Sequence, residues 1–174
     1  MPKSDSPLIA GPTSASTSAS ALPLKLAQIK DICQHYDIAL VYLFGSQKDL
    51  AYQMLLGQKV EIKDPLADID LGLVFKNQSV VADFHSHPRS LHLPRHILYA
   101  DLYNKLTDLF LPYPLDLVFL QEGHSLFQLE AIKGICIYAI SEAFKDDYEM
   151  MILRRAADFK YTLDTFAREA LEKF

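Results

Sequence analysis

Ile38-Ala39-Leu40-Val41-Tyr42-Leu43-Phe44-Gly45-Ser46 decides the fold. Seven apolar residues run without interruption and stop abruptly on a glycine. A run of this length, rich in β-branched and aromatic side chains, reads as a strand buried on both faces. Glycine at its end lets the backbone approach a ligand closely. Serine adds a hydroxyl, and free backbone N–H groups at the start of a following helix favour phosphate oxygens. Taken alone, Gly-Ser after a strand is a weak pointer to a site.

Working outward, Leu26, Ile29, Ile32 and Cys33 are spaced for one helix face over about residues 24–36. Residues 48–57 can form a short helix, and Lys59 to Pro65 is polar loop. Ile69 to Phe75 is a second strand ending at the polar turn Lys76-Asn77-Gln78-Ser79. Residues 80–93 are irregular. Pro94 stands in the first turn of a helix running to about Phe110, where proline is tolerated. Leu115 to Leu120 is a third strand, Leu126 to Lys133 a short helix stopped by Gly134, and Ile135 to Ile140 a fourth strand. From about Glu142 to Phe174 the sequence predicts one long helix, its apolar stripe being Phe144, Tyr148, Met151/Ile152, Phe159, Leu163 and Phe166. This order gives an α/β domain around one central sheet.

Residues 1–22 are rich in Ser, Ala, Pro and Thr and cannot bury enough apolar surface to offset their ordering entropy, so they read as a disordered tail before a domain at 23–174. A length of 174 residues suits one such domain. The net charge of -5 argues against a global nucleic-acid footprint. Cys33 and Cys136 sit in apolar runs as small hydrophobes rather than as a disulfide framework. That usage, with no apolar stretch long enough to span a bilayer and no signal-peptide core, places the chain in the cytoplasm as the default expectation.

Asp68-Ile69-Asp70 opens the second strand, and residues i and i+2 of a strand share a face. Two neighbouring carboxylates raise each other's pKa unless a cation lies between them, and magnesium prefers such oxygen ligands. The bland alternative is a pair of solvated acids at a strand edge. Asp116, inside Pro114-Leu115-Asp116-Leu117-Val118-Phe119-Leu120, is harder to dismiss. A carboxylate buried in so apolar a strand would need a basic side chain or a metal. A third aspartate on a neighbouring strand would complete a cluster for two magnesium ions, the arrangement that serves in-line displacement at phosphorus.

Val41-Tyr42-Leu43-Phe44-Gly45-Ser46, Ala67-Asp68-Ile69-Asp70-Leu71 and Leu115-Asp116-Leu117-Val118 together resemble the minimal nucleotidyltransferase (MNT) family of the polymerase-β-like superfamily. The tail from Tyr148 to Lys160 also resembles the last helix of these proteins. The resemblance implies a mixed central sheet flanked by helices, with a long C-terminal helix. It implies that Gly45 and Ser46 grip the nucleotide's phosphates, that Asp68 and Asp70 bind two Mg2+ ions bridging to the triphosphate, and that Asp116 holds the catalytic metal. ATP would be the substrate and AMP the transferred group. MNT proteins of this kind are often antitoxins that adenylylate a tyrosine of a helical HEPN toxin, so such a toxin is the implied partner; a homo-oligomer is also open. Two departures stand out. The spacer from Gln47 to Ala67 is about twice the family's usual length. Ala67 and Gln47-Lys48 replace the usual serine and basic residue, although Lys48 could supply charge to the phosphates.

Two rival readings remain at this level: a non-catalytic binding partner of the same fold, and a transferase acting on a small molecule such as an antibiotic. His85, His87, His92 and His96 form a cluster whose spacing matches no defensible zinc motif and reads as a loop bordering the site. Arg89, Arg95, Arg154 and Arg155 could face phosphate, a partner or solvent.

Overall fold

The computed structural model describes residues 23–64, 66–76 and 94–171, with the side chains of 163–167 and 169–171 outside that description. The elements are α1 (Leu24–His35), β1 (Ile38–Phe44), α2 (Lys48–Leu55), β2 (Ile69–Phe75), α3 (Arg95–Thr107), β3 (Leu115–Phe119), a 3-10 turn (Leu120–Glu122), α4 (Ser125–Ile132), β4 (Ile135–Ala139) and α5 (Glu142–Leu171). All four expected strands form within a residue of the sequence reading. The four strands make one mixed sheet in the order β3-β2-β1-β4. β1 is antiparallel to β2 and to β4, while β2 and β3 run parallel.

Every residue of β1 is buried, as its unbroken apolar run requires of a central strand covered on both faces. One face of the sheet carries Val41, Leu43, Leu71, Leu73, Leu115 and Leu117, packed on α1, α2 and α3 through residues such as Ile29, Leu55 and Leu102. The opposite face carries Leu40, Tyr42, Phe44 and Val74 beneath Leu120, Ala131, Tyr148 and Ile152. A side chain as fully buried as Leu102 or Ile152 stabilises the fold by roughly 2 kcal/mol.

The long spacer is structural. Its helix α2 buries Ala51, Met54 and Leu55 in the main core, and the loop after it is pinned by Tyr113, whose hydroxyl accepts from the Ile62 amide at 2.9 Å. The helix packs on the sheet face opposite the carboxylates, while its first residue, Lys48, stands beside Gly45.

Helix α5 departs from expectation in its second half. Tyr148, Ile152 and Ala156 are buried at i, i+4 and i+8, but residues 157–162 are all exposed, Phe159 and Tyr161 among them. Among the described side chains the buried stripe therefore ends at Ala156. Leu163 and Phe166 lie outside the described side chains. Cys33 is buried and Cys136 half-buried, both as free thiols. Burial pushes both thiols up, Cys136 to about 11, so neither is a ready thiolate. No helix among the described residues is long and apolar enough to cross a membrane.

Candidate active site

The site forms at the end of the sheet where β1 finishes and β2 and β3 begin. Leu71 and Leu115 point into the α1–α3 core, so strand alternation turns Asp70 and Asp116 to the other face. Register places Asp70 directly opposite Asp116 on the parallel neighbour and opposite Phe44 on β1. Neighbouring strands lie about 4.8 Å apart, so the two carboxylates stand side by side. Asp68, two residues earlier, extends the row toward solvent.

Burial differs among the three. Asp68 and Asp116 are exposed and Asp70 is half-buried. The burial expected of Asp116 is therefore not found: β3 is an edge strand, and α4 and α5 do not cover its first residues on this face. The group under electrostatic stress is Asp70. Desolvation raises its pKa, and the negative charges of Asp68 and Asp116 raise it further. An all-oxygen set with excess negative charge suits a hard divalent cation. Among the described residues, no three His, Cys, Asp or Glu side chains are already drawn together as a finished cage. A cation would have to gather them.

Gly45 is built into this arrangement. Its φ is +69°, and a Cβ there would collide with the Asp70 carboxylate. Only glycine allows the β1 turn and Asp70 to approach this closely. Ser46 is exposed just beyond, its hydroxyl accepting from the Gln47 amide at 3.1 Å. Helix α2 starts at Lys48 and has no side-chain cap at its N-terminus. Lys48 is half-buried beside it and pairs with Asp49 at 3.5 Å. The structure thus sets Asp70 beside Asp116 with Asp68 two residues before it, presses Gly45 against Asp70, and puts Lys48 in a cavity with Gly45.

Two further residues border the site. Tyr99 on α3 has its pKa raised by burial and then by the charge of Asp116, so it lies within electrostatic reach of that carboxylate. Lys133, at the C-terminal cap of α4, lines a cavity of about 300 Å3 together with Phe44, Gly45, Lys48, Glu130 and Gly134. Neither stood out in the sequence. Arg95 is not directed to a phosphate. Its guanidinium pairs with both carboxylate oxygens of Glu122 and lies over the Phe119 ring. His85, His87, Arg89 and His92 lie outside the described residues; His96 is exposed, as are Arg154 and Arg155 on α5.

Residues 27–143, which carry all four strands and the three aspartates, match the family described as polymerase beta, nucleotidyltransferase. The chain belongs to that family. Solved structures of toxin–antitoxin complexes share its fold. An MntA–HepT structure is 13% identical, with a TM-score of 0.53, covering 85% of this chain and 97% of that one. A toxin–antitoxin structure with AMP-PNP is 14% identical, with a TM-score of 0.56, covering 85% and 99%. A tri-AMPylated Shewanella oneidensis HEPN toxin in complex with MNT antitoxin is 14% identical, with a TM-score of 0.54, covering 87% and 99%. At such identity the likeness is one of fold. A comparison with curated proteins finds no match.

Proposed function

We propose that this nucleotidyltransferase-family chain transfers AMP from magnesium-ATP to a tyrosine hydroxyl of a helical HEPN-type partner, and so acts as an antitoxin. The observation that carries the reading is the row Asp68, Asp70, Asp116 on one open face, with Gly45 pressed against Asp70. In this reading Asp68 and Asp70 hold the ions that bridge to the triphosphate, and Asp116 faces the attacking hydroxyl. Magnesium bound there would stabilise the charge developing on the attacking and leaving oxygens. Gly45, Ser46 and the uncapped start of α2 receive the phosphates, and Lys48 adds a positive charge.

Three features support the choice of acceptor. Asp68 and Asp116 are exposed, so a group as large as a protein side chain can reach them. Phe159 and Tyr161 on α5 are exposed aromatics of the kind that partner surfaces use. Among proteins of this fold, one structure contains AMP-PNP and another a tri-AMPylated HEPN toxin. The long spacer is the feature that would favour the non-catalytic alternative. Because α2 of that spacer is built into the core and leaves the carboxylate face open, the spacer gives no reason to discount catalysis.

The test is incubation with labelled ATP, magnesium and a HEPN-type protein encoded beside this gene. Label should appear on a partner tyrosine, and Asp70→Asn should abolish it. Intact ATP binding without transfer to that protein would overturn the assignment.

A further inference from the structure

Gly45 has two neighbourhoods. On one side it touches Asp70, and on the other it forms a wall of the cavity of about 300 Å3 that also holds Lys48, Glu130 and Lys133. That volume is at the small end for ligand pockets, so it suits phosphoryl groups better than a base and sugar. Lys133 is not placed there by a flexible loop. The next residue, Gly134, lies so tightly against β1 that a Cβ would strike the carbonyl oxygen of Leu43 and come within 2.9 Å of that of Ala131. This contact fixes the end of α4 beside the Gly-Ser turn. Lys133 Nζ is meanwhile held by Glu130 at 2.6 Å, and both side chains are more than half exposed.

We infer that Lys133 binds the terminal phosphates of the nucleotide and that Glu130 competes with them for its ammonium group. The inference rests on the nucleotide-binding reading above and deepens it. A triphosphate whose α-phosphate lies at the Asp70 carboxylate and which passes over Gly45 would carry its β- and γ-phosphates into this cavity. An exposed ion pair is worth little in water, and a polyanion offers more charge than one carboxylate. Lys133 therefore exchanges Glu130 for phosphate on binding. The plain alternative is that Lys133 only complements the C-terminal end of the α4 dipole and steadies the helix through Glu130.

The two roles differ in sign. If the pair were structural, breaking it from either side would have the same consequence. If Glu130 is a competitor, Lys133→Ala should weaken magnesium-ATP binding about tenfold, the loss of one charge-assisted hydrogen bond. Glu130→Gln should tighten it about twofold, the release of one exposed ion pair. In the Lys133→Ala background the Glu130→Gln gain should vanish. Titration calorimetry of the full chain with magnesium-ATP, with inorganic triphosphate as competitor, reads all of these. Both residues are exposed, so the variants should melt as the parent does. Equal ATP affinity in Lys133→Ala and the parent chain overturns the role of Lys133 while leaving nucleotide binding intact, as does weakening by both single changes. Failure of the parent chain to bind magnesium-ATP overturns both readings.

Discussion

Replacing Gly45 by alanine separates a strained backbone from a displaced carboxylate. Gly45 has φ +69° and Gly57 has φ +79°. An L-residue in this left-handed region costs about 1–2 kcal/mol. At Gly57, just past the end of α2, an added Cβ meets nothing within 4 Å, so Gly57→Ala incurs that cost alone. At Gly45 the added Cβ runs into the Asp70 carboxylate, which must leave its rotamer or push β1 and β2 apart. An off-rotamer side chain adds about 0.5–1.5 kcal/mol, so Gly45→Ala should lose about 1.5–3.5 kcal/mol in all. With Tm moving about 2–4 °C per kcal/mol at this size, Gly57→Ala should melt a few degrees low and Gly45→Ala lower still. The decisive difference is functional. Moving a positioning group by about 1 Å can reduce a rate roughly 100-fold, so under the proposed function Gly45→Ala should lose AMP transfer on that scale and bind magnesium-ATP weakly. Gly57→Ala should keep both. Thermal melts and magnesium-ATP titration of the two variants side by side provide the assay. If Gly45→Ala matches Gly57→Ala in both readouts, the close approach of Gly45 to Asp70 does not shape the site, and the reasoning fails.

Two other outcomes follow from the same geometry. Asp70 has a folded-state pKa raised above its ordinary value, so between those two values the folded chain binds more protons than the unfolded one, and stability falls as pH rises through that window. Asp70→Asn should therefore melt above the parent chain at pH 7, with the gap closing on acidification below the raised pKa; magnesium should raise the Tm of the parent chain only, and a lower Tm for Asp70→Asn would contradict the charge repulsion. Gln128 is buried, and its amide donates to the carbonyls of Leu120 at 2.5 Å and Gly123 at 2.9 Å, holding the 3-10 turn whose Leu120 packs on Gly72. Gln128→Leu leaves those acceptors unmet and should cost about 1–3 kcal/mol in denaturant unfolding, so a neutral result would show that the turn stands without them.

The sequence by itself determined the elements and the motif. The apolar run Ile38–Phe44 and its glycine stop announce a central strand because backbone sterics and burial act on neighbours in the chain. The spacing of Asp68 and Asp70 fixes their common face for the same local reason. Pairing direction, register and exposure belong to the tertiary structure. That β2 and β3 run parallel with Asp70 opposite Asp116 depends on contacts between residues far apart in sequence. The apolar neighbours of Asp116 suggested burial, yet an edge strand left uncovered on one face keeps that carboxylate in water, and the desolvated acid is Asp70. The spacer's excess length was legible in the sequence, whereas the packing of its helix α2 into the main core was decided by the tertiary structure. Lys133 gave no sequence pointer at all. It joins the site because Gly134, lacking a side chain, lets the end of α4 close against Leu43 beside Gly45.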